Sequence, residues 1–346
     1  MTPQPGGTAV VAWILAQSLA SVDLPTLLAD SLVRVLRISV LIAVGVFLAN
    51  VAVEFGAVEK IAGASRFLTG PANLPEEVGT AILTTAASTT AGYGMLADFR
   101  DSGRLSDRAT LIAVTINTFF GFVQHIFTFY VPVLIPILGW QTGVLYVGTR
   151  GLIALGITLT GVLAGAVLLS GGGRNSETAP ADAASDGGEA AAAVGAPPTR
   201  REAVAEAWDS TASKLRSIVP RLAVVYTLVT ILAATGVFES LSAAAGPLAE
   251  VAGLPAAAVP VIVVFAFDTT AGAATVAPLI GETLTVDQAV VTMLLGGIVT
   301  FAVSTFKRSI PFQYGIWGPG FGSKVIVVNT VLKVVFISVA VVWFLV

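Results

Sequence analysis

Apolar residues in this chain fall in long runs separated by short polar breaks: Ser39–Val53, Leu111–Phe122, Leu152–Leu169, Leu222–Ala234, Val259–Phe267, Val290–Ala302 and Val325–Val346. Most are extended by small or hydroxyl residues towards the roughly 20 needed to span a bilayer. Backbone groups in lipid must be satisfied within their own segment, which selects helices. A β-barrel would show strict alternation between turns, and runs such as Val331–Val346 do not alternate. The pattern predicts an all-α polytopic membrane protein.

The pattern stops at residues 170–207, a stretch of Gly, Ala, Pro and acidic residues. Such a composition buries too little surface to offset its ordering entropy, so it reads as a flexible linker. It separates two hydrophobic units, 31–169 and 208–346, with an interfacial or extra helix expected in 1–30. At a constant offset of 180 the units match: Gly56 with Gly236, Glu59 with Glu239, Leu74-Pro75 with Leu254-Pro255, and Asp107 with Asp287. Thr89-Thr90-Ala91-Gly92 likewise meets Thr269-Thr270-Ala271-Gly272. Self-similarity at a fixed period is the signature of a tandem repeat. Each unit reads as a first span (35–55; 215–235) and an amphipathic stretch (57–70; 237–250). A polar-broken helix (76–97; 256–280) and a third span (107–130; 287–308) follow. An aromatic, Pro/Gly-rich connection (131–147; 311–323) then leads to the last span (148–169; 324–346). That gives about eight to ten transmembrane segments at ~20 residues each. Arg34, Arg37, Arg100, Arg104, Arg108, Arg174, Lys214, Arg216 and Arg221 put the unit starts, the loop after the broken helix and the linker on the cytoplasmic side of the cell membrane. Four crossings per unit then make the repeats parallel. A re-entrant broken helix would change the count by one.

Composition narrows the class further. Hydrophobic residues are 55% and charged residues 11%, with mean hydropathy +0.88, against about 25% charged in soluble domains. There is no cysteine and one histidine, His125, which excludes disulfides, thiolate chemistry and multi-histidine metal centres; no cofactor is expected. Net charge is −3 with scattered basic residues, so nucleic acid is not a partner. The lipid bilayer and a small polar solute or ion are, with a homo-oligomer left open.

Candidate chemistry sits at the broken helices. Thr85, Ser88, Thr89 and Gly92 share one helical face, as do Asp268, Gly272 and Thr275. Small residues there serve either tight packing or an unwound backbone lining a cavity. Asp268, flanked by VIVVFAF, costs ~2.5–3.5 kcal/mol near mid-membrane. Two readings stand for it: an ion pair or a protonated acid holding helices together, or a site for a cation, a proton or a substrate hydroxyl or amine. Its repeat mate is Ser88. The third span carries a stripe of Asn117, Gly121, Gln124 and Thr128, with His125 beside it; the equivalents are Gly297, Phe301, Ser304 and Arg308. Lys307 and Arg308 either snorkel to the interface or enter a central cavity. The candidate binding set is therefore Ser88, Thr89, Thr90, Gly92, Asn117, Gln124, His125, Asp268, Thr269, Thr270, Gly272, Ser304, Lys307 and Arg308. The GYG at 92–94 lacks the TVGYG context of a potassium filter. No Walker loop, nucleophile elbow or HExxH occurs, and Ser88 with His125 is the one pair that an intramembrane hydrolase would use. FQYGIWGPGFG at 312–322 is an interfacial aromatic belt or a gate.

With STTAG and DTTAG breaks, a polar third span and a Gly/Pro-rich turn in each unit, the chain resembles membrane proteins of the nucleoside recognition, or Gate, domain. Such domains recur in concentrative nucleoside transporters, ferrous-iron transporters and spore maturation proteins; uncharacterised archaeal proteins with two of them are similar in layout. The resemblance covers roughly 35–170 and 215–346. It implies a solute path between Ser88–Gly92 and Asp268–Gly272, with Asn117 and Gln124 beside it. The cysteine and GTPase sequence of iron transporters do not accompany it, so iron is not implied. The leading expectation is a non-enzymatic transporter or permease for a small polar solute, nucleoside-like solutes included, with Asp268 as charge centre. The alternative is a non-transporting membrane scaffold or receptor.

Overall fold

The computed structural model describes residues 23–54, 66–169, 200–234, 253–305 and 309–346. In the first half α1 is Leu24–Glu54, α2 Arg66–Thr69, α3 Glu76–Ala87, α4 Thr89–Asp101, α5 Asp107–Ile116 and α6 Thr118–His125. A π-helical stretch, Ile126–Leu134, leads into α7 (Ile135–Leu138) and then α8 (Trp140–Leu168). In the second half α9 is Arg200–Ala234, α10 Ala258–Phe267, α11 Thr269–Val276, α12 Val286–Ser304 and α13 Ile310–Leu345. The described residues contain no strand, only a lone bridge between Ile280 and Leu284. The helical class expected from the apolar runs is what the chain adopts.

Four stretches are long and apolar enough to cross a membrane: Leu24–Leu48, Asp107–Leu138, Trp140–Leu168 and Ile310–Leu345. Their outward faces are aliphatic; Leu32, Leu36, Leu152, Leu163, Val167 and Val339 are each more than 60% exposed. Continuous apolar surface of this extent fits lipid, not water. Four is fewer than the expected eight to ten, and the polar-broken helices are among the stretches too short to qualify. α3 has 12 residues and α4 has 13, about 18–20 Å each at 1.5 Å per residue, against a ~30 Å hydrocarbon core.

These short helices fold back on one another. Ser88 is extended (φ −144°, ψ 110°) and Asp268 equally so (φ −151°, ψ 122°). At each turn the chain reverses and the next glycine is pressed onto the preceding helix. A Cβ on Gly92 would lie 1.8 Å from Thr85 Oγ1 and 2.6 Å from the Ala81 carbonyl oxygen; one on Gly272 would lie 2.5 Å from Phe265 Cα. In a straight helix Ala81 and Gly92 would be about three turns apart. Both segments are helical hairpins that leave on the side they enter.

The long helices of the two halves also pack in a defined sense. Asn50 reaches Ala207 and Thr211 (3.5 Å each), Phe47 stacks edge-on to Trp208, and Ser39, Val40 and Ala43 lie by Leu215, Val219 and Pro220. As one number rises the other falls, so α1 and α9 are antiparallel. α8 and α13 meet at Gly156 and Phe336. The end of α8 lies by Ala72, through Gly165. The first half of α13, just past the break at Gly318, is held to the start of α5 by Lys324–Asp107 (3.2 Å). α5 in turn runs antiparallel to α8, with Thr158 on Ile116 (2.8 Å) and Phe122 under Gly151. α8 and α13 are therefore antiparallel too. The parallel arrangement expected from Lys/Arg positions is corrected on this point.

Three boundaries also differ. Residues 200–207, assigned to the linker, are helical as the start of α9; Arg, Glu and Ala are strong helix formers. The connections at 131–147 and 311–323 are mostly helical, each broken at a single glycine in the left-handed region: Gly139 (φ 79°, ψ 162°) and Gly318 (φ 71°, ψ 165°). These two glycines lie one residue short of the 180 offset. The third span is interrupted, first at Asn117 and then by the π stretch around Pro132, which has no N–H to donate and displaces the helical ladder. The expected helix in 1–30 lies outside the described residues up to 22, and so do nearly all of the amphipathic stretches.

Gly92→Val is expected to lower stability by about 1–3 kcal/mol or more through overpacking, read as a fall in the detergent-solubilised thermal midpoint. Gly94→Ala, whose Cβ meets nothing within 4 Å, should leave it near wild type. Equal midpoints for the two variants would contradict the hairpin.

Candidate functional site

Each hairpin turn exposes backbone groups at the depth of the apolar bundle, and side chains satisfy them. Ser88 Oγ accepts from Ala91 N–H (3.4 Å), and Asp268 Oδ1 accepts from Ala271 N–H (2.7 Å). Both residues are N-caps, the role for which Ser and Asp are suited. Freed carbonyls find donors on the next long helix. Gln124 Nε2 donates to the Ala87 oxygen (3.3 Å) while its Oε1 accepts from Thr89 Oγ1 (2.6 Å). In the other half Thr300 Oγ1 donates to the Phe265 oxygen (2.9 Å). Asn117, at the break between α5 and α6, donates to Thr85 Oγ1 (2.7 Å). Thr158 of α8 closes the same break, giving its hydroxyl to Ile116 and accepting from Phe119 N–H (3.1 Å).

Beside the first hairpin lies a cavity of about 290 Å³. Thr89 and Tyr93 of α4, Asn117, Gly121 and His125, Tyr130 of the π stretch, and one face each of α8 and α13 enclose it. α8 contributes Arg150, Ile153, Ala154 and Ile157; α13 contributes Ile326, Asn329, Thr330, Lys333 and Ile337. Phe301 and Thr305 come from the end of α12 and just beyond it. Arg150 donates to Tyr130 Oη (3.3 Å), with its guanidinium 6.0 Å from the Phe301 ring centre; Lys333 Nζ lies 5.2 Å from the same centre. Among the described residues no carboxylate comes within ion-pair distance of either cation, and none lines the cavity. Asn117 is 1% exposed, and its Oδ1 accepts no hydrogen bond among the described residues.

Of the residues that the sequence pattern marks, the cavity gathers Thr89, Asn117 and His125; His125 Nδ1 is bonded to the Gly121 carbonyl (2.8 Å). Gln124 and Ser88 act behind the lining, at the hairpin turn. Asp268, Thr269, Thr270 and Gly272 form the second hairpin turn and are not lining residues; Thr90 is exposed. Gly92 is packed against α3. Lys307, Arg308 and the Ser304 side chain lie outside the described residues. Arg150 and Lys333 are not in the set that the sequence pattern marks. A signal for them exists, since an ionisable residue inside an apolar span marks function by default. A last span starting at 148 puts Arg150 at an interface, whereas α8 starts at Trp140 and holds it about three turns inside.

The chain is similar to an uncharacterized protein of Methanocaldococcus jannaschii, 25% identical over 303 residues, which are 86% of this chain and 89% of the relative. A second uncharacterized protein of that organism is 23% identical over 309 residues, 88% of this chain and 95% of its own length. A third is 30% identical over 106 residues, 31% and 33% of the two chains. These relatives are archaeal. No protein-family model and no solved structure matches the chain.

Gln124→Leu should release the first hairpin turn, costing about 1–3 kcal/mol for two hydrogen bonds. Amide exchange over 84–92 should quicken about fivefold or more for that loss, with 269–276 unchanged. Unaltered exchange at 84–92 would show that Gln124 does not hold the turn.

Proposed function

We propose that this chain is a polytopic permease of the cell membrane that binds a small polar solute in the cavity beside the first hairpin. One observation carries the reading: a polar cavity inside a bundle whose outward faces are aliphatic, set against a helical hairpin broken at membrane depth. Irregular backbone and ionisable side chains are tolerated at that depth where they line a cavity. The antiparallel course of α1 with α9 and of α8 with α13, together with the matched hairpin turns, supports two copies of one unit in inverted orientation. That is a common architecture for secondary transporters, whose sites lie at the repeat interface near mid-membrane. The Gate-like resemblance belongs to the same reading, with Thr89 and Asn117 from its expected path at the cavity. Arg100, Arg104 and Arg108 follow the first hairpin at the end of the bundle where α8 finishes, and their charge assigns that end and the linker to the cytoplasm.

Cavity access is tested at Gly121, which lines the space and where an added Cβ would meet nothing within 4 Å. In proteoliposomes offered uridine, alanine, L-malate and phosphate, at least one solute should accumulate. Gly121→Phe should reduce that uptake at least about tenfold by filling the site while the thermal midpoint holds. No uptake of any probe by folded protein would favour the scaffold alternative.

Topology has its own test. Cysteines placed at Ser102 and Thr283, both exposed in a chain with no native cysteine, should react with an impermeant maleimide from opposite faces of sealed vesicles. Labelling from one face would restore the parallel arrangement.

A further inference from the structure

We infer that the solute is a small organic anion, its acidic group held between Arg150 and Lys333 and a hydroxyl or amine offered to Asn117. This deepens the permease reading and rests on it. Three observations point the same way. First, the cavity brings two cations onto one aromatic ring, Phe301, with no described carboxylate beside them. Arg150 is held by a neutral phenol, Tyr130, and Lys333 by the ring face. Two like charges in apolar surroundings repel and are poorly solvated, and an anion bound between them relieves both costs.

Second, the geometry that delivers them is built for it. Gly297 stands where the first half has Asn117, and a Cβ there would lie 3.3 Å from the Arg150 guanidinium. The missing side chain is the space the guanidinium occupies. Planar guanidinium suits carboxylate or phosphate, and a lysine ammonium adds a second, mobile donor.

Third, Asn117 Oδ1 is a buried acceptor with no donor among the described residues. The Asn117 amide is oriented by its bond to Thr85, whose own hydroxyl donates to Ala81 (3.0 Å), so Thr85 Oγ1 must accept the N–H and Oδ1 is left for another group. A solute with an N–H or O–H beside its acid supplies the donor. At about 290 Å³ the space is at the small end of ligand sites, which suits a hydroxy or amino acid of metabolite size.

Titration calorimetry on the purified full chain tests this with L-malate, succinate, uridine and choline. Malate should bind, and neither uridine nor choline should displace it. Arg150→Gln and Lys333→Gln should each weaken malate at least about tenfold, whereas Arg150→Lys and Lys333→Arg should retain most of it. Asn117→Leu should weaken malate more than succinate, which lacks the hydroxyl. Uridine or choline binding that survives both glutamine variants, with malate silent, overturns the anion and leaves the permease standing. Silence from every probe in calorimetry and in liposome uptake overturns both. If the glutamine variants do not fold, the wild-type series decides alone: choline or uridine binding more tightly than malate refutes the inference.

Discussion

A helix interrupted inside an apolar bundle must find partners for the amides and carbonyls it frees, and most of this architecture follows from how that is done. At each hairpin turn the residue that breaks the helix also caps the next one: Ser88 to Ala91, Asp268 to Ala271. The carbonyls just before the turn are taken by Gln124 in one half and Thr300 in the other. Chain reversal then requires the residue four places on to have no side chain, because it lies on the backbone of the preceding helix. Serine or aspartate, two threonines and a glycine thus form one device. It lets a short helix pair enter the bundle and leave on the same side.

The two halves share this device and diverge behind it. Where the first has Asn117 and the open space of Gly121, the second has Gly297 and Phe301. The first half's arginine reaches across into the gap at Gly297, and Phe301 presents its ring to both cations. The polar cavity is therefore asymmetric: a neutral amide wall on one side, an aromatic and cationic wall on the other.

Much of this is legible in the sequence. The apolar runs specify the helical class, and the shared TTAG motif locates both breaks. Thr89, Asn117 and His125 stand out in the pattern and do line the cavity. What stays hidden is three-dimensional. A helix bent at Ser88 and a helix folded back at Ser88 have the same hydrophobic pattern; only the approach of Gly92 to Ala81 tells them apart, and with it the direction of the second half. The Pro/Gly-rich connections read as loops, yet a single left-handed glycine in each carries the whole change of direction and the rest is helix. That difference moves the start of α8 and carries Arg150 from an interface into the bundle. Asp268 draws attention as a mid-membrane acid, and its carboxylate caps the helix that follows it.

The contacts that hold the first hairpin beside the cavity are unequal in strength. Gln124 and Asn117 tie the first hairpin to α5 and α6, and the Asn117–Thr85 bond is buried, where an unmade bond is costly. Arg100, Asp107 and Lys324 tie the same hairpin to α13 at the end of the bundle, with Asp107 half exposed. Exposed ion pairs contribute little, about 0–1 kcal/mol. Apolar packing holds the two more firmly: Tyr93 of the hairpin lies against Phe312 and Trp317, and Trp317, Phe321 and Val325 are buried with Leu96 and Ala97. Because α13 also carries Lys333, the same packing fixes one cation of the pair relative to the first hairpin.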